Sequence, residues 1–221
     1  MSENRSVPRL KLLPKSAYPT PEESDPLSFY YWPVLGRMYQ RRVELCLGEC
    51  RGGERVLEVG YGSGITFPNL HDLYDDIYGI DLDADPQQVT DTFAEQGIPV
   101  KLEQGNLLAL DYPDGYFDTI LLISILEHLK PQELTQAFNE IKRTLKPGGQ
   151  VVYGVPVERP LMVFMFRLLG VNIRDHHFST HADVSRAAGE VFSQTNLIRM
   201  SGAFGLSGPV YEVGHFTKAG K

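Results

Sequence analysis

Val56-Leu57-Glu58-Val59-Gly60-Tyr61-Gly62-Ser63-Gly64 is the stretch whose reading decides the fold. A short apolar run reads as a buried strand, and glycines at alternate positions then turn the chain before a helical pattern begins. Glycine suits such a turn because, without a Cβ, the backbone reaches positive φ and a ligand can lie against main-chain atoms. A second apolar run ends in Tyr78-Gly79-Ile80-Asp81, about 20 residues further on, where an acid can accept hydrogen bonds from both ribose hydroxyls. Dinucleotide binding stays open at this point. Its fingerprint wants a third glycine where this chain has Ile65, and Glu58 precedes the loop instead, so the pyrophosphate reading falls behind.

Outward from this loop, short apolar runs alternate with helical patterns. Residues 55–60, 76–81, 100–104, 117–123 and 150–155 read as strands, and 65–73, 85–96 and 132–145 as helices. Alternation of this kind implies crossover units and a parallel sheet covered by helices on both faces, an α/β doubly wound fold. Apolar residues at helical spacing predict a further helix over 35–47, stopped by Gly48 and Gly52-Gly53. In the last third, 182–192 reads as helix, and 197–200 and 209–216 as strands.

A length of 221 residues with 42% hydrophobic content supports one core. Residues 1–34, rich in proline and polar side chains, read as an arm that buries little, and 35–221 as a single domain. Within it, 35–156 is the cofactor-binding half and 157–221 the acceptor side. The formal net charge of −7 offers no overall positive field for nucleic acid or anionic lipid. Cys46 and Cys50 fall on one helical face, poorly placed for a disulfide, and read as reduced thiols. With no leader-like apolar segment at the N-terminus and no run of about 20 apolar residues, the expectation is a cytoplasmic protein.

The ordered set of motifs resembles the class I S-adenosylmethionine-dependent methyltransferases, over residues 55–156. The loop matches that family's first motif, and Asp81 its ribose-binding acid. Gln104-Gly105-Asn106-Leu107 is similar to the segment holding the adenine, and 117–129 to the fourth strand and its loop. Leu145-Lys146-Pro147-Gly148-Gly149 is similar to the turn before the fifth strand. The resemblance implies a Rossmann-like, mostly parallel seven-stranded sheet with one antiparallel strand near the edge, here 209–216. It implies S-adenosyl-L-methionine as cofactor, bound by Glu58, Gly60, Tyr61, Gly62, Gly64, Asp81, Leu82, Asn106, Leu107 and Ser124. Asn106 departs from the family's usual aspartate, though an amide oxygen still accepts from an adenine amino group. The likeness is greatest to the type 11 group, which methylates small molecules, quinones and lipids, so a small-molecule or lipid-like acceptor is expected.

Displacement at a methyl group on a sulfonium needs chiefly an in-line nucleophile, so no catalytic residue is obligatory. Where the acceptor is a hydroxyl, a base helps, and His128, His176 and His177 are the candidates, with His181 behind them. Glu127 and His128 also resemble a metal-binding pair of the quinone O-methylating branch, but the acid three residues earlier is Ser124 here, so no metal is expected. The loop 124–126 lacks the Pro-Pro-Tyr element used on base amino groups and glutamine amides, and both cysteines precede the first strand, which argues against cytosine C5 chemistry. The apolar segment 160–169 reads as core or as a lid over an acceptor pocket, and Phe29-Tyr30-Tyr31-Trp32 as a second wall. Two other functions stay open: a cofactor-binding but catalytically silent module, and an NAD-dependent oxidoreductase.

Overall fold

A computed structural model describes residues 7–19, 25–33, 35–157, 178–201 and 208–220. The strands are β1 (Gly53–Val59), β2 (Tyr74–Asp81), β3 (Val100–Gln104), β4 (Phe117–Ile123), β5 (Leu145–Pro156), β6 (Ser193–Ser201) and β7 (Pro209–Thr217). They form one sheet in the order β3-β2-β1-β4-β5-β7-β6. β1 to β5 run parallel, and β7 lies antiparallel between β5 and β6. The expected sheet is therefore present, with its reversed strand one position in from the edge. Because β1 pairs with β2 on one side and β4 on the other, the loops leaving β1 and β4 diverge and open a cleft at the carboxyl ends of the strands.

Side-chain alternation along β1 splits the core. Val56 packs with Phe67 and Phe93 on one face, while Leu57 and Val59 pack with Phe138 and Ile141 on the other. The helices are α1 (Leu35–Glu49), α2 (Phe67–Leu70), α3 (Pro86–Glu95), α4 (Pro131–Thr144) and α5 (His181–Val191). α4 buries Leu134, Ala137, Phe138 and Ile141, the i, i+3, i+4, i+7 stripe of a helix lying on a sheet. Proline opens it at the first position, and the Glu133 carboxylate accepts from the Lys130 N–H at 2.8 Å. α5 begins with a capping box in which Thr180 and Asp183 satisfy each other's backbone N–H groups.

Several expectations are modified: β5 begins at Leu145, taking in the expected turn 145–149, and β6 begins at Ser193, four residues earlier than expected. The helix over 65–73 is one turn, Phe67–Leu70: Gly64 holds φ at +75° before it, and beyond it the backbone bonds tighten, the Asp72 N–H donating to the Asn69 carbonyl and the Leu73 N–H to that of Leu70, while the buried Asn69 side chain binds the Arg9 carbonyl and the Lys11 N–H. The proline-rich N-terminal segment also buries more than its composition suggests. Tyr18, Leu27 and Tyr30 join the core, the last two from the 3-10 helix Pro26–Tyr31, whose start Asp25 caps by accepting from the Leu27 N–H. Cys46 and Cys50 are free, buried thiols. No helix among the described residues is long and apolar enough to cross a membrane.

Candidate cofactor and acceptor cleft

At the carboxyl end of β1 the backbone adopts left-handed values, φ +72° at Gly60, +49° at Gly62 and +75° at Gly64. At Gly60 a Cβ would also fall 2.0 Å from the Ile125 side chain. The loop is anchored from two directions. The Gly62 N–H donates to Asp81 Oδ2 at 2.9 Å, and the Ser63 N–H to Asp25 Oδ2 at 2.7 Å. Asp81 Oδ1 accepts from the Asp83 and Ala84 N–H groups, at 2.9 and 3.1 Å, so this carboxylate organises both its own turn and the glycine loop. Beneath the loop, Glu58 is buried and accepts from the Thr66 hydroxyl. Burial, with the Asp81 charge adding to it and the Thr66 bond opposing, pushes the Glu58 carboxyl up to about 8.

β2 and β3 end side by side here. Leu82 is 61% exposed at the rim, Leu107 is buried, and both border the cavity with Gly105 and Asn106. Asn106 Oδ1 accepts from the Leu108 N–H at 2.9 Å, which occupies one of the two lone pairs expected to serve an adenine amino group. The Tyr61 side chain is buried against Phe67, its hydroxyl without a hydrogen bond.

Across the switch point, Ser124 takes φ +59°, and its hydroxyl lies 3.0 Å from the Tyr211 hydroxyl of β7. Ile125 leads into the 3-10 turn Leu126–His128, which places Glu127 and His128 on the cavity wall. The Glu127 carbonyl accepts from the Phe178 and Ser179 N–H groups, tying the turn to the chain entering α5. Phe29, Tyr30, Trp32, Met38 and Tyr39 form the apolar wall opposite. The whole cleft encloses about 1490 Å³ and is continuous from Asp81 to Tyr211. Of the candidate bases, His128 lines it, His181 opens α5 and is not among the lining residues, and His176 and His177 lie outside the described residues, as does 160–169.

Asp25, Arg42 and Tyr211 are among the cleft residues that escaped the sequence reading. Only the Arg41-Arg42 pair, interrupting the apolar spacing of α1, hinted at any of them. The Arg42 guanidinium carbon sits 4.0 Å from the Tyr39 ring centre and 5.2 Å from that of Tyr211.

Residues 57–153 match the family model described as "Methyltransferase domain". The chain carries a class I S-adenosylmethionine-dependent methyltransferase domain. It is 32% identical to the ubiquinone biosynthesis O-methyltransferase of Pectobacterium atrosepticum over 121 residues, 53% of this chain and 48% of that protein. To the protein of the same description from Photorhabdus laumondii it is 32% identical over 161 residues, 67% of this chain and 65% of the relative. The chain thus spans about half to two thirds of the length of these curated relatives. Among solved structures, the N-methyltransferase NodS of Bradyrhizobium japonicum bound to S-adenosylhomocysteine superposes with a TM-score of 0.65 at 16% identity, covering 89% of this chain and 93% of NodS. At that identity the likeness is one of fold. S-adenosylmethionine is the cofactor of this methyltransferase domain, and the dinucleotide reading finds no support. The glycine turn, with its backbone at positive φ, and the two carboxylates beside it suit a flat nucleoside joined to a cationic amino-acid tail.

Proposed function

We propose that this protein methylates a small, largely apolar acceptor through a hydroxyl or other oxygen, by direct displacement. The observation that carries the reading is the single cleft joining the glycine loop to an aromatic chamber at the far side of the switch point. The relatives' printed role in ubiquinone biosynthesis supports an aromatic, apolar acceptor. S-adenosylmethionine supplies an activated methyl group on a sulfonium.

In this reading Gly60, Gly62 and Gly64 let the cofactor's amino-acid tail approach the backbone, with Tyr61 and Ser124 bordering it. Asp81 keeps one lone-pair site for ribose beyond the three backbone donors it already holds. Leu82 and Leu107 flank the adenine, and Asn106 accepts from its amino group. Glu58, held by Thr66, lies under the cationic end, where an approaching positive charge favours its ionised form. With 35–156 as the cofactor-binding half and 157–221 as the acceptor side, Phe29, Tyr30 and Trp32 of the N-terminal arm add a second wall to the acceptor end. His128 stands at the cleft wall as the group able to take the acceptor proton. Holding the two reactants in line contributes most of the acceleration. Two free buried thiols suit a reducing cytoplasmic setting.

Calorimetry of S-adenosylhomocysteine against NAD tests the cofactor half of this reading, and equal or stronger binding of NAD would overturn it. Incubating the protein and S-adenosylmethionine with metabolite extracts, and reading a gain of one methylene mass, tests the reaction. A binding-competent protein that adds no methyl to any extract component would favour the silent-module alternative.

A further inference from the structure

The charges around the cleft are segregated. Asp25, Glu58, Asp81, Asp83, Asp85 and Glu127 supply the acids, and Arg42 is the one lysine or arginine among the described residues that line it. An excess of carboxylates suits a cationic sulfonium and its ammonium tail, but it repels any anionic acceptor, so a cation at the acceptor end calls for a reason.

The setting of Arg42 is unusual for a structural arginine. Its guanidinium is held by ring faces, Tyr39 at 4.0 Å and Tyr211 at 5.2 Å. Its Nε is buried and donates no hydrogen bond. Stacking engages the flat faces of a guanidinium and leaves the donors at its edge, where they match the two oxygens of a carboxylate. Buried donors without partners are rare because each costs stability, and a ligand that arrives with matching acceptors removes that cost. The location also fits. Tyr211, which Arg42 approaches, has its hydroxyl 3.0 Å from Ser124 Oγ, at the carboxyl end of β4, beside the glycine loop.

We propose that Arg42 recognises a carboxylate on the methyl acceptor, making the acceptor an apolar carboxylic acid seated between the aromatic wall and Tyr211. This rests on the cleft being a methyl-transfer site. A carboxylate carries a single charge that one guanidinium can match, and decyl phosphate serves as the competing anion in the test below. Arg42 acts as a specificity residue here, with no part in proton transfer.

The test uses the full chain saturated with S-adenosylhomocysteine, whose binding is measured first, so that a failure of the cofactor reading shows separately. Apolar acids from benzoate to decanoate, each paired with its primary amide, are then titrated, together with decyl phosphate. At least one acid should bind tenfold or more tightly than its amide, and Arg42→Gln should erase that preference while S-adenosylhomocysteine affinity stays within about twofold. Arg42→Lys, which keeps the charge and loses the fork, should retain part of it. The proposal is overturned if no acid outperforms its amide, if the preference survives in Arg42→Gln, or if decyl phosphate binds better than every acid in an Arg42-dependent way. Should Arg42→Gln lose S-adenosylhomocysteine binding as well, the arginine is holding the cleft together and the specificity role fails.

Discussion

Asp81 Oδ2 accepts the Gly62 N–H at 2.9 Å, so the end of β2 and the loop after β1 form one hydrogen-bonded unit. Removing the carboxylate therefore acts twice: three backbone N–H groups lose their acceptor, and so does the ribose. Asp81→Ala is expected to weaken S-adenosylhomocysteine by about 1.5–3 kcal/mol, the range for hydrogen bonds to a charged group. Asp81→Asn should lose less, since its amide oxygen still serves part of the set. Calorimetry checks both, and an Asp81→Ala protein with wild-type affinity would remove Asp81 from the cofactor site.

At Gly62 the backbone sits at φ +49°, and a Cβ would fall 2.7 Å from Asp25 Oδ2, the acceptor of the Ser63 N–H. Left-handed backbone costs a residue with a side chain about 1–2 kcal/mol, and more when it is β-branched. Gly62→Val should thus lower the melting temperature by roughly 2–8 °C, at about 2–4 °C per kcal/mol for a chain of this size, and reduce S-adenosylhomocysteine binding further than Asp81→Ala does. Thermal melts with and without ligand measure both effects.

The common half of the molecule was legible because its rules are local. Strand runs at Val56 and Ile120, the glycine loop, and the acid ending β2 are each dictated by neighbours a few residues away. β3 and β4 fall at their expected bounds, Val100–Gln104 and Phe117–Ile123. The shortening of the helix after Gly64 was hidden, because the segment is fixed by the N-terminal arm, which Asn69 binds at residues 9 and 11, a contact about 60 positions distant in the chain. The acceptor chamber was hidden for the same reason. Arg42, Tyr211 and Asp25 come from α1, β7 and the N-terminal segment, and only the completed sheet brings them together. Composition also misled at Tyr18 and Tyr30, because a proline-rich polar stretch does not say whether the few aromatic side chains in it are covered by the rest of the fold.

Burial lifts Glu58 to about 8, far above the ordinary carboxylate range, and this fixes the sign of a pH effect. A raised folded-state value means that the fold prefers the protonated acid. The stability this supplies is complete below the unfolded value, near 4.3, and is lost as pH rises through about 8. The unliganded wild type should melt progressively lower between pH 5 and pH 9, whereas Glu58→Gln, neutral throughout, should show a flatter profile. Parallel slopes for the two proteins would show that Glu58 does not titrate in this window.

His128 closes the 3-10 turn after β4, its N–H bonded to the Ile125 carbonyl at 3.0 Å, and it borders the cleft close to Ser124 and Glu127. That position, at the carboxyl end of a central strand, is where an acceptor nucleophile would meet the cofactor's methyl group. Base assistance typically contributes about 10²–10⁴-fold, so His128→Gln should reduce turnover of the identified acceptor by that factor. Affinity for S-adenosylhomocysteine should stay nearly unchanged, because the interaction lost is made only on the way to the transition state. A purely structural histidine would behave differently: its replacement would lower the melting temperature and raise KM through a loosened loop, with kcat kept. Comparing kcat and KM for His128→Gln with those for His176→Gln and His177→Gln separates the roles. If all three variants keep wild-type kcat, proton removal is left to solvent or to the acceptor itself, and in-line positioning alone accounts for the rate.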